Sequence, residues 1–122
     1  MSRSTDLLAR DTDPGPVFVP GTDLADGELG RELLRHISSG DSLEIWRLRM
    51  PAGTRLDGVP HATRTVEHLL VSVGMLIAGP ADNPTELRSG DLLAFAGDAP
   101  HVYRTDAEAA DVTVVIASPT TG

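Results

Sequence analysis

The chain has 122 residues, 40% of them hydrophobic, enough for one packed core but too few for two independent domains, and wholesale disorder is excluded. Its formal charge is −8 and all ten basic residues are arginines, a field that repels phosphate backbones and disfavours direct nucleic-acid binding. It has no cysteine, which removes disulfides, thiolate metal sites and a cysteine nucleophile, and no apolar run approaches the ~18 residues of a membrane span.

The N-terminus, Met1-Ser2-Arg3-Ser4-Thr5, carries no apolar signal region, so a cytoplasmic, stand-alone protein is expected. Residues 1–16 are rich in Asp, Thr and Pro and are expected to form a flexible arm, followed by a single domain over 17–119. An edge strand is expected to begin at Val17-Phe18-Val19 and to turn at Pro20-Gly21.

Leu29, Leu33, Leu34 and Ile37 follow helical spacing, but the same stretch also reads as a strand, Arg31–Ile37, turning at Ser38-Ser39-Gly40-Asp41. The sequence leaves helix and strand open there. The return segment Ser42–Met50 is a clear strand, because Trp46, Leu48 and Met50 alternate with Arg47 and Arg49. Turn signals then recur every 8–12 residues or so, the spacing of an all-β sandwich or barrel. Strands are expected at Val66–Val73, closed by Gly74, and at Leu92–Phe95, His101–Thr105 and Asp111–Ala117. Loops are expected at Gly79–Pro84, Ser89-Gly90-Asp91 and Gly97–Pro100.

Of the four histidines, His61 and His101 stand out together with Glu67. Two imidazoles and a carboxylate form the facial ligand set of non-haem iron sites and also suit catalytic zinc. On one straight strand His61 and Glu67 would lie about 20 Å apart at ~3.3 Å per residue. The chain must therefore bend at Ala62–Thr65, although that stretch lacks Gly, Pro, Asn and Asp. Period-2 geometry places Glu67, Leu69, Val71 and Val73 on one face and His68 on the other. A carboxylate in that row needs a metal ion or an Arg partner if it is buried. His101, Tyr103 and Thr105 share a face, which makes Tyr103 the nearest candidate for a hydrogen bond to the ligands or an acid–base role.

Over roughly residues 43–117 the sequence resembles the cupin superfamily. Gly53 opens the first motif, His61 and Glu67 occupy its first histidine and glutamate positions, and Gly74 closes it after six residues. Gly90-Asp91 opens the second motif, which reaches its histidine at His101. The segment between the motifs, 75–89, has the short length common in small cupins. Thr63 stands at the second histidine position, the Gly53–His61 spacing is two residues longer than usual, and Ala96, Asp98 and Thr105 replace the second motif's proline, glycine and asparagine. In texture the chain is similar to the cupin_2-like modules that follow helix-turn-helix domains in bacterial regulators.

The resemblance implies an all-β double-stranded β-helix, or jelly-roll barrel, frequently a homodimer, with a small molecule in its lumen. Apolar outer faces, with Val66, Leu70 and Val102, are the expected dimer contact. Three readings follow. In the first, His61, Glu67 and His101 hold a divalent metal, Fe(II) by preference, or Zn, Ni or Mn, with Tyr103 as the catalytic group of an oxygenase, isomerase, lyase or cyclase. In the second, the barrel is a non-catalytic small-molecule sensor. The third is a metal-free structural barrel in which the two histidines only satisfy hydrogen bonds. The first is preferred, with a small-molecule partner and no nucleic acid or membrane.

Overall fold

The computed structural model describes residues 16–21 and 28–119. All of the expected flexible arm except Pro16 lies outside the described residues. Among them there are eight strands and no helix: β1 (Gly30–Ser39), β2 (Asp41–Met50), β3 (Arg55–Gly58), β4 (Val66–Pro80), β5 (Thr85–Arg88), β6 (Leu92–Ala96), β7 (His101–Arg104) and β8 (Ala110–Ser118). All pair antiparallel, in the order β1-β2-β8-β4-β7-β3, with β5 and β6 also on β4.

The long strand β4 organises the fold. Its first half pairs with β6 and β8, and its second half pairs with β5 and β7. One strand thus belongs to two sheets, and the whole curls around a shared core. Gly74 is the hinge. It does not close the strand, as the sequence suggests, but bends it, with a positive φ of 89°. Beyond it Met75–Pro80 continues as strand, so Gly79 and Pro80 lie in β4 and not in the loop.

One open alternative is decided and two other expectations change. The helix-or-strand segment is strand β1, with an irregularity in its register to β2 between Leu33 and Arg35. That extra residue breaks the alternation and puts Leu33 and Leu34 side by side, which mimics helical spacing. A second irregularity, between Val71 and Val73, turns Val73 out of the row formed by Glu67, Leu69 and Val71, leaving it 59% exposed. Val17-Phe18-Val19 is not a strand, because no neighbouring strand among the described residues supplies a ladder. Its three side chains are exposed.

The inward rows of β2, β4 and β8 fill the core. Met50, Leu69, Leu76 and Val71 are its largest fully buried apolar side chains, each stabilising by roughly 1.5–3 kcal/mol through burial. The outer face of the first sheet carries Val66 and Leu70, both exposed, but Val102 is buried and contributes nothing to it.

Candidate metal centre

Glu67 lies on the inward row of β4 and is fully buried. The bend needed to bring His61 to it exists, and its support comes from far along the chain. Thr65 N–H donates to Ala62 C=O at 3.1 Å, closing a tight turn in which Arg64 adopts the left-handed region, φ 66°. An L side chain there costs roughly 1–2 kcal/mol. The turn between β6 and β7 offsets this cost. Asp98 Oδ2 accepts from Arg64 N–H at 2.7 Å, Gly97 C=O from His61 N–H at 2.9 Å, and Thr65 C=O from Gly97 N–H at 2.8 Å.

His101 opens β7, immediately after that turn, and is buried. His61 Nε2 lies 2.9 Å and His101 Nε2 3.0 Å from the same Glu67 oxygen, Oε2. Donor atoms of all three residues lie within 4.8 Å of one another. The three residues singled out in the sequence are therefore brought together. Thr63, at the position of the missing histidine, is exposed and not among them. His68 points to the opposite side of β4, as expected, with its buried Nδ1 lacking a partner among the described residues.

Hydrogen-bond accounting decides what this cluster can hold. The backbone carbonyl of Ala99 lies 2.8 Å from His101 Nδ1, which fixes that nitrogen as the N–H donor. In a neutral His101, Nε2 then carries a bare lone pair, and it faces a carboxylate oxygen. Two acceptors at that distance need a cation between them, either a proton or a metal ion. The donors fit a divalent metal: two imidazole nitrogens and one carboxylate, with the histidine tautomer set from behind by a carbonyl. No arginine approaches Glu67 in an ion pair, so the alternative of an Arg-paired carboxylate does not describe this barrel among the described residues.

Tyr103, two residues after His101 on the same face of β7, donates its hydroxyl proton to Glu67 Oε1. Burial first, then the Glu67 charge and this hydrogen bond, hold the phenol well above its usual pKa. It therefore remains a donor across the physiological range and orients the carboxylate. Tyr103→Phe is expected to weaken metal retention about tenfold, the lower end for loss of a group that orients a ligand, while the barrel still folds. Competition against a chromogenic chelator measures this; an unchanged affinity would remove Tyr103 from the site.

Two glycines make room for the cluster and were not read from the sequence as part of it. Gly58 pairs with His101 across β3 and β7, and a Cβ there would meet His101 Nε2 at 2.1 Å. At Gly97 a Cβ would lie 3.1 Å from Glu67 Cγ and 3.3 Å from His61 Cδ2. The cluster borders a cavity of about 400 Å³ between the sheets. Its walls are mainly apolar, with Trp46, Leu48, Leu56 and Val114, and His61, His101 and Tyr103 face it from one side. This is the size and character of a small-molecule pocket.

No protein-family model and no curated protein matches the chain in sequence. Solved structures do match its fold. The cupin_2 domain of an XRE-family transcriptional regulator from Enterobacter cloacae is 24% identical over 61% of this chain and 79% of that one, with a TM-score of 0.58. An RmlC-like cupin protein from Desulfovibrio desulfuricans is 21% identical over 84% and 93% of the two chains, TM-score 0.65. The DMSP lyase DddQ from Ruegeria pomeroyi is 22% identical; 77% of this chain covers 49% of the lyase, TM-score 0.60. No helix among the described residues is long and apolar enough to cross a membrane. The chain thus has the double-stranded β-helix fold of the cupins, and its barrel brings two histidines and a glutamate to the wall of the central cavity.

Proposed function

We propose that this chain is a metal-dependent cupin enzyme acting on a small organic molecule in the barrel. The observation that carries the reading is the single oxygen, Glu67 Oε2, at 2.9 and 3.0 Å from two imidazole nitrogens beside a cavity of about 400 Å³. His61, Glu67 and His101 would hold a divalent ion, Fe(II) by preference for this ligand set, or Zn, Ni or Mn. Such an ion supplies Lewis acidity or dioxygen chemistry at positions left open by only three protein ligands. The chain's own part is to hold and orient. Ala99 C=O fixes the His101 tautomer, Tyr103 aims the carboxylate, and the apolar walls offer a surface for the apolar part of the bound molecule. A structural neighbour that is a lyase supports chemistry on this fold.

A second reading is a ligand-binding barrel without catalysis, favoured by the likeness to a regulator's cupin domain. Only the first reading requires the metal, and so the first experiment is on the metal. Protein purified without chelators is expected to hold close to one divalent ion per chain by elemental analysis. After stripping, the preferred ion should restore thermal stability, by about 2.7 kcal/mol when supplied at a hundredfold excess over its dissociation constant. A chain that stays empty and melts at the same temperature with every ion would overturn the proposal. A loaded chain that turns over no member of a broad substrate screen would move the weight to the sensor.

A further inference from the structure

Among the described residues that line the cavity, Arg31 is the one arginine, beside the acids Glu44 and Asp57. Arg47 pairs with Glu32, Arg49 with Asp111, Arg55 with Asp57, Arg88 with Glu86 and Arg104 with Asp106. Arg31 lines the cavity and has no such partner among the described residues. Register explains why. Arg31 lies opposite Leu48 across β1 and β2, on the face that Leu48 and Trp46 turn inward, whereas Glu32 lies opposite Arg47 on the other face. Arg31 is exposed and borders the cavity beside Trp46 and Leu48.

Two acids share this wall, Asp57 held by an arginine and Glu44 by a neutral indole. Asp57 Oδ1 accepts from Arg55 Nε at 2.9 Å, and Glu44 Oε1 accepts from the Trp46 indole N–H at 3.0 Å. A guanidinium offers a planar fork of donors suited to a carboxylate. In a chain of net charge −8, whose overall field repels small anions, a local unpaired cation is what lets an anion into the cavity.

We infer that the cavity takes a small carboxylic acid, with its carboxylate on Arg31, its apolar body against Trp46 and Leu48, and its other end directed toward the His61–Glu67–His101 cluster. The inference rests on the metal-site reading for that other end, and on Arg31 alone for the carboxylate.

Trp46 is the chain's only tryptophan and lines the cavity, so its fluorescence reports occupancy directly. The zinc-loaded protein would be titrated with the dicarboxylates malonate through adipate and with their diamides. At least one diacid is expected to saturate the signal while its diamide does not. Arg31→Gln should weaken that binding about fivefold, the upper end for an exposed ion pair, and leave zinc content unchanged. Arg31→Lys should recover part of the loss. Arg35→Gln, which removes the same charge from the outer face opposite Ile45, should have no effect. Equal behaviour of Arg31→Gln and Arg35→Gln, diamides binding as well as diacids, or no diacid binding at all would each overturn the inference. Failure of the metal reading is separately visible as zinc-free wild-type protein. Butyrate titrated against that protein still tests Arg31: a loss of binding in Arg31→Gln supports the carboxylate site, and no loss ends it.

Discussion

Glu67→Gln should empty the metal site and leave the barrel folded. The amide has the shape of the carboxylate, so its oxygen can still accept from Tyr103 and its volume still fills a fully buried position. What it loses is the anionic oxygen that both imidazoles approach, and with it the only charged ligand of the three. A two-imidazole remnant with a neutral amide is a poor site for a hard divalent ion, and affinity should fall by roughly two orders of magnitude or more. Elemental analysis of the variant beside wild type measures this, with guanidinium denaturation of both metal-free proteins to check the fold. The two stabilities should agree to within about 1.5 kcal/mol, because a bare carboxylate between two imidazoles contributes little without a cation. His68→Ala is the control on strand register. It lies on the other side of β4 and should retain its metal. Metal bound as tightly by Glu67→Gln as by wild type would show that Glu67 is not a ligand of the ion.

Much of this architecture was legible because its local chemistry is ordinary. Trp46, Leu48 and Met50 alternate, and the turns at Ser38–Asp41, Ser89–Asp91 and Gly97–Pro100 carry glycine where the chain reverses. The ligand identities were legible too, since His61, Glu67 and His101 are the residue types a metal needs, in an order that resembles a known pattern. What was not legible depends on partners distant in sequence. The bend at Ala62–Thr65 looks improbable from its own residues, because Asp98 and Gly97 hold it from the far side of β6. Asp98 counted as a departure from the cupin pattern, yet it caps the strained Arg64 backbone. Irregularities in register cannot be read from periodicity, because one extra residue reverses every side chain beyond it. That is why Val73 was expected inside and why β1 kept a helical alternative.

Gly74 is where a local misreading conceals the strongest stability requirement in the chain. Its sequence context suggests a strand terminator, but the chain bends there and continues as strand. A Cβ at Gly74 would lie 1.9 Å from the carbonyl oxygen of Ala109 and 3.1 Å from Ala110 Cα, both backbone, at a φ of 89°. The conformational strain alone costs roughly 1–2 kcal/mol. Relieving the overlap must push β8 away from β4 where Gly74 pairs with Ala110, next to the buried Val112. Gly74→Ala should therefore destabilise by about 4 kcal/mol, in the range reserved for disrupted cores. Gly53→Ala is the comparison, since it has a φ of 70° with nothing within 4 Å and should cost only the strain. Denaturant midpoints distinguish them, and equal losses would mean that β4 and β8 do not approach so closely. The effect should reach the metal as well. The half of β4 beyond Gly74 sets the register of β7 through Gly79–Val102 and Pro80–His101, while the half before it carries Glu67. The angle at this residue is one of the determinants of where His101 stands relative to Glu67. Any Gly74→Ala protein that still folds should therefore hold its ion more weakly than Gly53→Ala does.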